Sequence, residues 1–502
     1  MSKAPISDRL RSNSSIHSNP WRGAKDLNSG APRPNSIDCS NTWRSAKCSN
    51  IVEHERLQAL PIDAVDDEGR GRALLVRHGV SWDIAVRGAV VGDVVDVKVE
   101  RVFAARQLVQ ARRLHLIDAV GPLHTERSCP HPGPCPACPL HGIDDGFVAA
   151  LKQQRVRTAF VDAGIDVDAV LAPVVVGDGV RQKVKLVAGG TAGALVLGHY
   201  VPHSHHVVEA AGCAHARDDL IDAVDAVRER LDEAELGPEL VVAVIARAFV
   251  EGVAVVVVAR GPCPIDVRAL WPTQPLKRDD DDDEPTTVVG VAWRQQDETA
   301  SSNAIVGGNI DDVAGSIHGT PLGFAVGSVE PVHVDSFCQA DAAGAAALVA
   351  EAAAFVLAGV APDDVVFDLY AGTGAFSRAL LQGGAAHVVA VETFALSVES
   401  LARLPRTTAI GGRVEDALVD VQRLAPVAGV VDPPRKGLGP AVAAALIELP
   451  SLRRVAVVSC DVDAGAADVA ALVRGGFVVE RVVPVDLFPG SAEVEVLTLL
   501  RR

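Results

Sequence analysis

The stretch Val365–Leu381, VVFDLYAGTGAFSRALL, decides the fold. An apolar run of strand character breaks at Gly372 and Gly374, and apolar residues resume at helical spacing. The next strand-like run, HVVAVE at 387–392, ends in Glu392. Outward from there, from Ala340 to Arg502, strand and helix patterns alternate, which predicts a doubly wound α/β domain. Glycines in the first turn let the backbone pass close to a ligand where a Cβ would collide. An acid at the end of the second strand is placed to accept hydrogen bonds from ribose hydroxyls. The turn lacks the third glycine of the dinucleotide fingerprint.

In an open α/β sheet the ligand crevice lies beyond the carboxyl ends of the strands. VVDPPRKGL at 430–438 puts Asp432 after one strand, and RVAVVSC at 454–460 puts Cys460 after the next. Asp368, Glu392, Asp432 and Cys460 are therefore expected to face one crevice. A cysteine in an apolar run is ordinarily a small core residue; at a strand end on a ligand crevice it reads as a thiol held out for chemistry. Asp-Pro-Pro followed by an aromatic suits methylation of an exocyclic amine. Arg435 stands there instead, and a thiol suits a target carbon that is not nucleophilic by itself, such as C5 of a pyrimidine. Thiolate addition at C6 makes C5 a nucleophile, a form of covalent catalysis.

The chain of 502 residues is too long for one core. No run of about 18 uninterrupted apolar residues predicts a membrane span, and the N-terminal residues lack the apolar centre of a secretory signal. Three of the nine cysteines crowd into Cys129–Cys138, which points to a metal or cluster rather than a disulfide framework, and to a cytoplasmic, reducing compartment. A net charge of −17 opposes a polyanion partner, whose binding begins with phosphate neutralisation.

Residues 1–56, rich in Ser, Asn, Pro and Arg, read as a flexible arm. Residues 57–118 show short Val/Ile/Leu runs broken by glycine, the pattern of a small all-β barrel. Arg101, Arg106, Arg112 and Arg113 gather at its end, either as solvated charge or as a track for a nucleic-acid strand. Residues 119–334 read as a mixed α+β segment with an acidic loop at 279–284. Residues 335–502 hold the α/β domain.

The motifs together resemble the RNA 5-methyluridine methyltransferases, in particular the iron–sulfur branch with an N-terminal TRAM domain, similar to 23S rRNA uracil-5-methyltransferases. The resemblance covers residues 57–502. It implies a C-terminal Rossmann-like domain using S-adenosylmethionine, an OB-like TRAM barrel that binds RNA, and a central domain carrying a cluster. DSFCQAD (335–341) is similar to the family's F-x-Q-x-N, implying that Phe337 and Gln339 contact target base or cofactor. DLYAGTGAF implies cofactor contacts from Tyr370, Gly372 and Gly374, with Glu392 on the ribose. DPPRKGL implies Asp432 beside the cofactor and Arg435 beside the base. VVSC makes Cys460 the implied nucleophile, and DLFPGSAEVEVLTLL (486–500) makes Glu495 the base that takes the C5 proton. CPHPGPCPAC (129–138) and HHVVEAAGC (205–213) imply that Cys129, Cys135, Cys138 and Cys213 hold a [4Fe–4S] cluster; four cysteines also suit zinc.

What the resemblance implies overall is a monomeric enzyme methylating a uridine in RNA, ribosomal RNA being favoured over transfer RNA. The chain departs from the family pattern at Ala375, Asp461 and Glu493. Asp461 is expected to raise the Cys460 pKa, and Glu493 to raise that of Glu495. Two alternatives follow: a catalytically weakened RNA-binding protein that keeps the fold, or a methyltransferase with another RNA target.

Overall fold

The computed structural model describes residues 51–119, 123–125, 129–130, 135–202, 204–249, 252–272, 274–276, 285–295 and 338–502. Phe337, the N-terminal arm up to residue 50 and the acidic run at 279–284 lie outside the described residues.

The first strands are β1 (Arg56–Pro61), β2 (Ala64–Val65), β3 (Gly71–Arg77), β4 (Val80–Arg87), β5 (Val94–Phe103) and β6 (Leu108–Asp118). They form one sheet in the order β1-β5-β6-β4-β3-β2, with β4 and β6 parallel and every other pair antiparallel. Side chains alternate across a strand, so Val95, Val97 and Val99 of β5 all point inward, meeting Ile84, Val86, Val109 and Ala111 in one core.

The next elements are α1 (Asp145–Asp162), β7 (Val175–Val176), β8 (Lys183–Thr191), β9 (Ala194–Tyr200), β10 (Val207–Glu209), α2 (Asp218–Glu233), β11 (Val241–Phe249), β12 (Gly252–Ala259) and β13 (Val288–Gln295). A second sheet runs β10-β9-β8-β11-β12-β13. Helix α2 lays Leu220, Val224, Val227 and Leu231, spaced for one helical face, into its core.

The remaining chain forms α3 (Ala342–Leu357), β14 (Val365–Leu369), α4 (Ala375–Gln382), β15 (His387–Glu392), α5 (Ala395–Ala402), β16 (Thr407–Gly411), α6 (Val414–Arg423), β17 (Ala428–Val431), α7 (Gly439–Glu448), β18 (Arg454–Ser459), α8 (Val462–Arg474), β19 (Val478–Asp486) and β20 (Glu495–Arg501). The sheet order is β16-β15-β14-β17-β18-β20-β19-β7. Strands β14 to β18 pair in parallel, and β20 enters antiparallel between β18 and β19. Parallel strands covered on both faces read as continuous apolar runs; here Val366, Phe367, Val388–Val391 and Val455–Val458 are all buried. One core lies on each face. Gly429 of β17 leaves room for the fully buried Phe367 ring, which a Cβ there would meet at 2.2 Å.

The segment read as central serves two sheets. Helix α1 buries Val156 and Phe160 in a core of the eight-stranded sheet, and β7 pairs with its edge strand β19.

Candidate active site

The loops after β14, β15, β17 and β18 emerge together, as a parallel sheet requires. The antiparallel β20 starts where β18 ends: Ser459 pairs with Val496, so Cys460 and Glu495 lie one residue beyond that pair on either strand. Residues facing each other across adjacent strands point to the same side, which brings thiol and carboxyl into one site.

Cys460 is half-buried, and its pKa is pushed up to about 11 by burial and then by Glu495 and Asp432, with Arg435 opposing. Glu495 is 2% exposed; burial and the nearby Asp432 hold its carboxyl well above the usual range, again with Arg435 opposing. Asp432 is pushed up to about 7 by burial and by Asp368. Asp368, fully buried, reaches about 6 through burial, although Ser377 donates to it from both backbone N (2.8 Å) and Oγ (2.6 Å). Its Oδ1 has no hydrogen-bond partner among the described residues. Gln339 Nε2 donates to Asp432 Oδ2 at 3.4 Å, and its own backbone oxygen accepts from Gln182 Nε2 at 3.0 Å. Gln339, Asp368, Asp432, Arg435, Cys460 and Glu495 thus form one connected group.

The glycine turn adjoins it. Glu392 accepts from Gly372 N (2.8 Å) through one oxygen and from Thr393 N (2.7 Å), Thr393 Oγ1 (3.0 Å) and Phe394 N (2.8 Å) through the other. Gly372 has φ +53° and nothing within 4 Å of where a Cβ would stand, whereas a Cβ on Gly374 would meet Leu401 Cδ2 at 2.7 Å. Tyr370 carries φ +64°, a left-handed conformation costing a bulky residue about 1–2 kcal/mol. Such strain collects at functional sites. Its phenol, pushed up to about 12 by burial, is faced by Glu415, Asp468 and Arg413 rather than by the thiol group.

These residues fit S-adenosylmethionine. Open space at Gly372 leaves the turn free for a ligand. Asp368, Asp432 and Glu495 are buried carboxyls raised by desolvation and by neighbouring carboxyls, with Arg378 opposing at Asp368 and Arg435 at Glu495. A sulfonium and an ammonium bring the positive charge this cluster favours.

Two departures from the family pattern do not act as expected. Asp461 is the N-cap of α8, accepting from Ala464 N at 2.9 Å, and the charges pressing most on Cys460 are Glu495 and Asp432. Glu493 precedes β20 and sits 3.9 Å from Arg155 Nη1, while Asp432 is the acid that raises Glu495.

The four cysteines predicted to bind a cluster converge. The charges of Cys129, Cys135 and Cys213 all act on Cys138, whose pKa burial pushes up to about 12, with Arg181 opposing. A Cβ on Gly212 would meet Pro130 Cγ at 3.3 Å, so the residues flanking Cys129 and Cys213 touch. The thiols are free. Among the described residues no group of three or more His, Cys, Asp or Glu side chains is drawn into a metal-binding set. Cysteines gathered in one neighbourhood are the residue type that a thiophilic metal or cluster takes.

Sequence reasoning missed two acids that shape the site. Asp468, among the Ala and Val residues in the middle of helix α8, accepts from Leu438 N at 2.8 Å and so holds the DPPRKGL turn; an acid beyond the first turn of so apolar a helix was the available signal. Asp341, 1% exposed, caps α3 through Gly344 N (2.7 Å) and accepts from Gly179 N (2.6 Å), with Asp178 N and Val180 N at 3.3 Å. It ties the residues after Gln339 to the 177–180 loop. Of the arginines read as a track, Arg101 and Arg112 line a cleft of about 470 Å³ with Lys98, Glu53 and Glu100. Arg113 is instead half-buried towards Asp93, because neighbours on a strand point to opposite faces.

With this geometry in hand, known proteins supply a comparison. No family model matches the chain. It is 29% identical over 460 residues to an uncharacterized RNA methyltransferase of Gloeobacter violaceus, covering 88% of this chain and 96% of that one. It is 28% identical over 456 residues to a 23S rRNA (uracil(1939)-C(5))-methyltransferase of Chromohalobacter salexigens, covering 88% and 89%. Among solved structures, the Pyrococcus abyssi tRNA (uracil-54, C5)-methyltransferase in complex with S-adenosyl-L-homocysteine superposes with a TM-score of 0.63 at 19% identity, over 88% of this chain and 99% of that one. The two chains share one fold. No described helix is long and apolar enough to cross a membrane.

Proposed function

We propose that the chain transfers a methyl group from S-adenosylmethionine to C5 of a uridine in RNA, through a covalent bond between Cys460 and C6. The observation that carries this reading is the antiparallel entry of β20, which sets the buried Glu495 beside Cys460 at the sheet's carboxyl ends. The relatives named as RNA and 23S rRNA uracil-C5 methyltransferases support it.

The steps follow from the residues. Cys460, once deprotonated, adds to C6, and the ring's π electrons move towards C5 and the O4 carbonyl. Arg435, which favours the anionic forms of both Cys460 and Glu495, offsets the repulsion of Asp432. S-adenosylmethionine, when bound, supplies the methyl group as an electrophilic sulfonium. Glu495 then takes the proton from C5; that electron pair re-forms the C5–C6 double bond, the C6–S bond breaks, and Cys460 leaves as thiolate. Gln339, through Asp432, fixes the edge of the pocket, and Phe337 is the proposed contact to the base. The base must leave any stack to reach this crevice.

Cys129, Cys135, Cys138 and Cys213 are the proposed ligands of a [4Fe–4S] cluster, which when bound supplies metal–thiolate bonds tying residues 129–138 to residue 213. Anaerobically purified protein is expected to be brown and to contain iron and acid-labile sulfide; stoichiometric zinc without iron contradicts this assignment. Ribosomal RNA is the proposed substrate, and the first sheet, over residues 57–118, the proposed TRAM-like RNA-binding part. The reading as a catalytically weakened RNA binder keeps Ala375 in its support, while its other two departures, Asp461 and Glu493, are engaged by Ala464 and Arg155.

Incubation with undermethylated RNA and labelled S-adenosylmethionine, followed by digestion to nucleosides, tests the activity. Labelled 5-methyluridine is expected. Its absence with wild-type protein, or full activity in Cys460→Ala, contradicts the proposal.

A further inference from the structure

Eight residues, Leu487–Val494, connect β19 to β20 and end at Glu495. They make little secondary structure of their own, so what holds them decides where Glu495 stands. Helix α1 reaches them with two cations. Lys152, 0% exposed, places Nζ 2.5 Å from Asp486 Oδ1 and donates to the backbone oxygen of Phe488 at 3.0 Å. Arg155, one turn along, donates from Nη1 to the backbone oxygen of Ala492 at 3.0 Å. The connection folds around these anchors: Ser491 Oγ also donates to Phe488 O at 2.9 Å, and Glu493 N donates to Ser491 Oγ at 3.2 Å.

Burying a lysine completely is costly unless it is paired and hydrogen-bonded. Nothing in α1's packing calls for a charge at this position, because Val148, Leu151, Val156 and Phe160 already fill its buried face. The cation is spent on two acceptors at the root of one loop. Three other parts of the molecule meet that loop: Leu140 N donates to Gly490 O at 2.7 Å, a Cβ on Gly490 would meet Cys138 Cβ at 3.1 Å, and a Cβ on Gly69 would meet Ala492 Cβ at 2.9 Å.

We propose that Lys152 and Arg155 are positioning residues for Glu495, holding the 487–494 connection so that the carboxyl faces Cys460. The catalytic part of this inference rests on the function proposed above; the geometric part does not. In the proposed reaction Glu495 acts only after methyl transfer. Its misplacement should therefore spare formation of the C6–S bond and slow the step that takes the C5 proton and releases the thiolate.

Two readouts on full-length protein separate positioning from general damage. First, the rate at which iodoacetamide alkylates Cys460 is measured against pH, with the modified peptide quantified by mass spectrometry. Glu495 raises the thiol's pKa, so moving it away should accelerate alkylation at pH 9, about threefold to tenfold, in Lys152→Met as in Glu495→Gln. Second, with an unmodified 23S ribosomal RNA transcript and S-adenosylmethionine, Lys152→Met should accumulate a denaturant-resistant protein–RNA adduct while turnover falls about 100-fold. Arg155→Met, at a less buried position, should do the same more weakly and serves if Lys152→Met does not fold. A folded Lys152→Met whose alkylation profile matches wild type overturns the inference. So does a folded variant that loses adduct and turnover together while Glu495→Gln accumulates adduct. Faster alkylation in both variants with no adduct even in Glu495→Gln upholds the positioning and defeats the proposed reaction.

Discussion

Cys460 and Glu495 face each other one residue past the end of the β18–β20 ladder, joined by strand register rather than by sequence proximity. This pairing makes each group's ionisation depend on the other. Above the pH at which Glu495 ionises, its charge opposes formation of the Cys460 thiolate, and Arg435 favours it.

The first prediction follows from those signs. Alkylation of Cys460 should keep rising with pH towards about 11. Glu495→Gln should move the profile to lower pH, and Arg435→Met should move it higher. Iodoacetamide kinetics read peptide by peptide measure both shifts; equal profiles in all three proteins contradict the electrostatic account.

Gly372 and Gly374 should separate binding from stability. Alanine at 374 brings a Cβ within 2.7 Å of Leu401 Cδ2 at φ +82°, and should lower the melting temperature by several degrees. Alanine at 372 meets no atom, so its folding cost is the left-handed backbone alone, about 1–2 kcal/mol. Its methyl enters the proposed cofactor space. Calorimetric titration with S-adenosylmethionine should show at least about tenfold weaker binding in Gly372→Ala.

Asp368 sets a pH dependence of stability. Its folded pKa of about 6 lies above the ordinary 3.8, so the folded state holds its proton more tightly. The stability this confers is complete below the unfolded value and is lost as pH rises through about 6. Asp368→Asn carries no such charge. Relative to wild type it should gain about 2 kcal/mol between pH 4 and pH 8, measured by urea denaturation at both pH values.

A Cβ on Gly177 would stand 1.9 Å from Asp341 Oδ1. Gly177→Ala should therefore break the clamp between the 177–180 loop and α3 at a cost of about 1–3 kcal/mol. Denaturation midpoints check this, and hydrogen exchange should speed up at Gly179 N and Gly344 N, which donate to that carboxylate.

Much of this was legible in the sequence because the signals are local. A strand, a glycine turn and a helix in succession announce the first βα unit at 365–381, and acids and a thiol at strand ends announce the crevice. What stayed hidden is what depends on register or on distant packing. That Asp461 caps α8 rather than pressing on Cys460 follows from where its carboxylate points. That β20 returns antiparallel beside β18 cannot be read from EVLTLLR. The packing of α1 against the eight-stranded sheet, and the delivery of Lys152 to Phe488, join residues separated by most of the chain. Arg112 and Arg113, adjacent in sequence, part company only because a strand alternates its faces.

The central claim is a sulfur–carbon bond made by Cys460. The most direct test incubates the protein with 5-fluorouridine-substituted 23S ribosomal RNA and S-adenosylmethionine, where fluorine at C5 cannot be removed as a proton. The account predicts a complex that survives denaturant, with RNA attached to the peptide carrying Cys460. Active enzyme that yields no such complex, or yields it on another residue, contradicts the account.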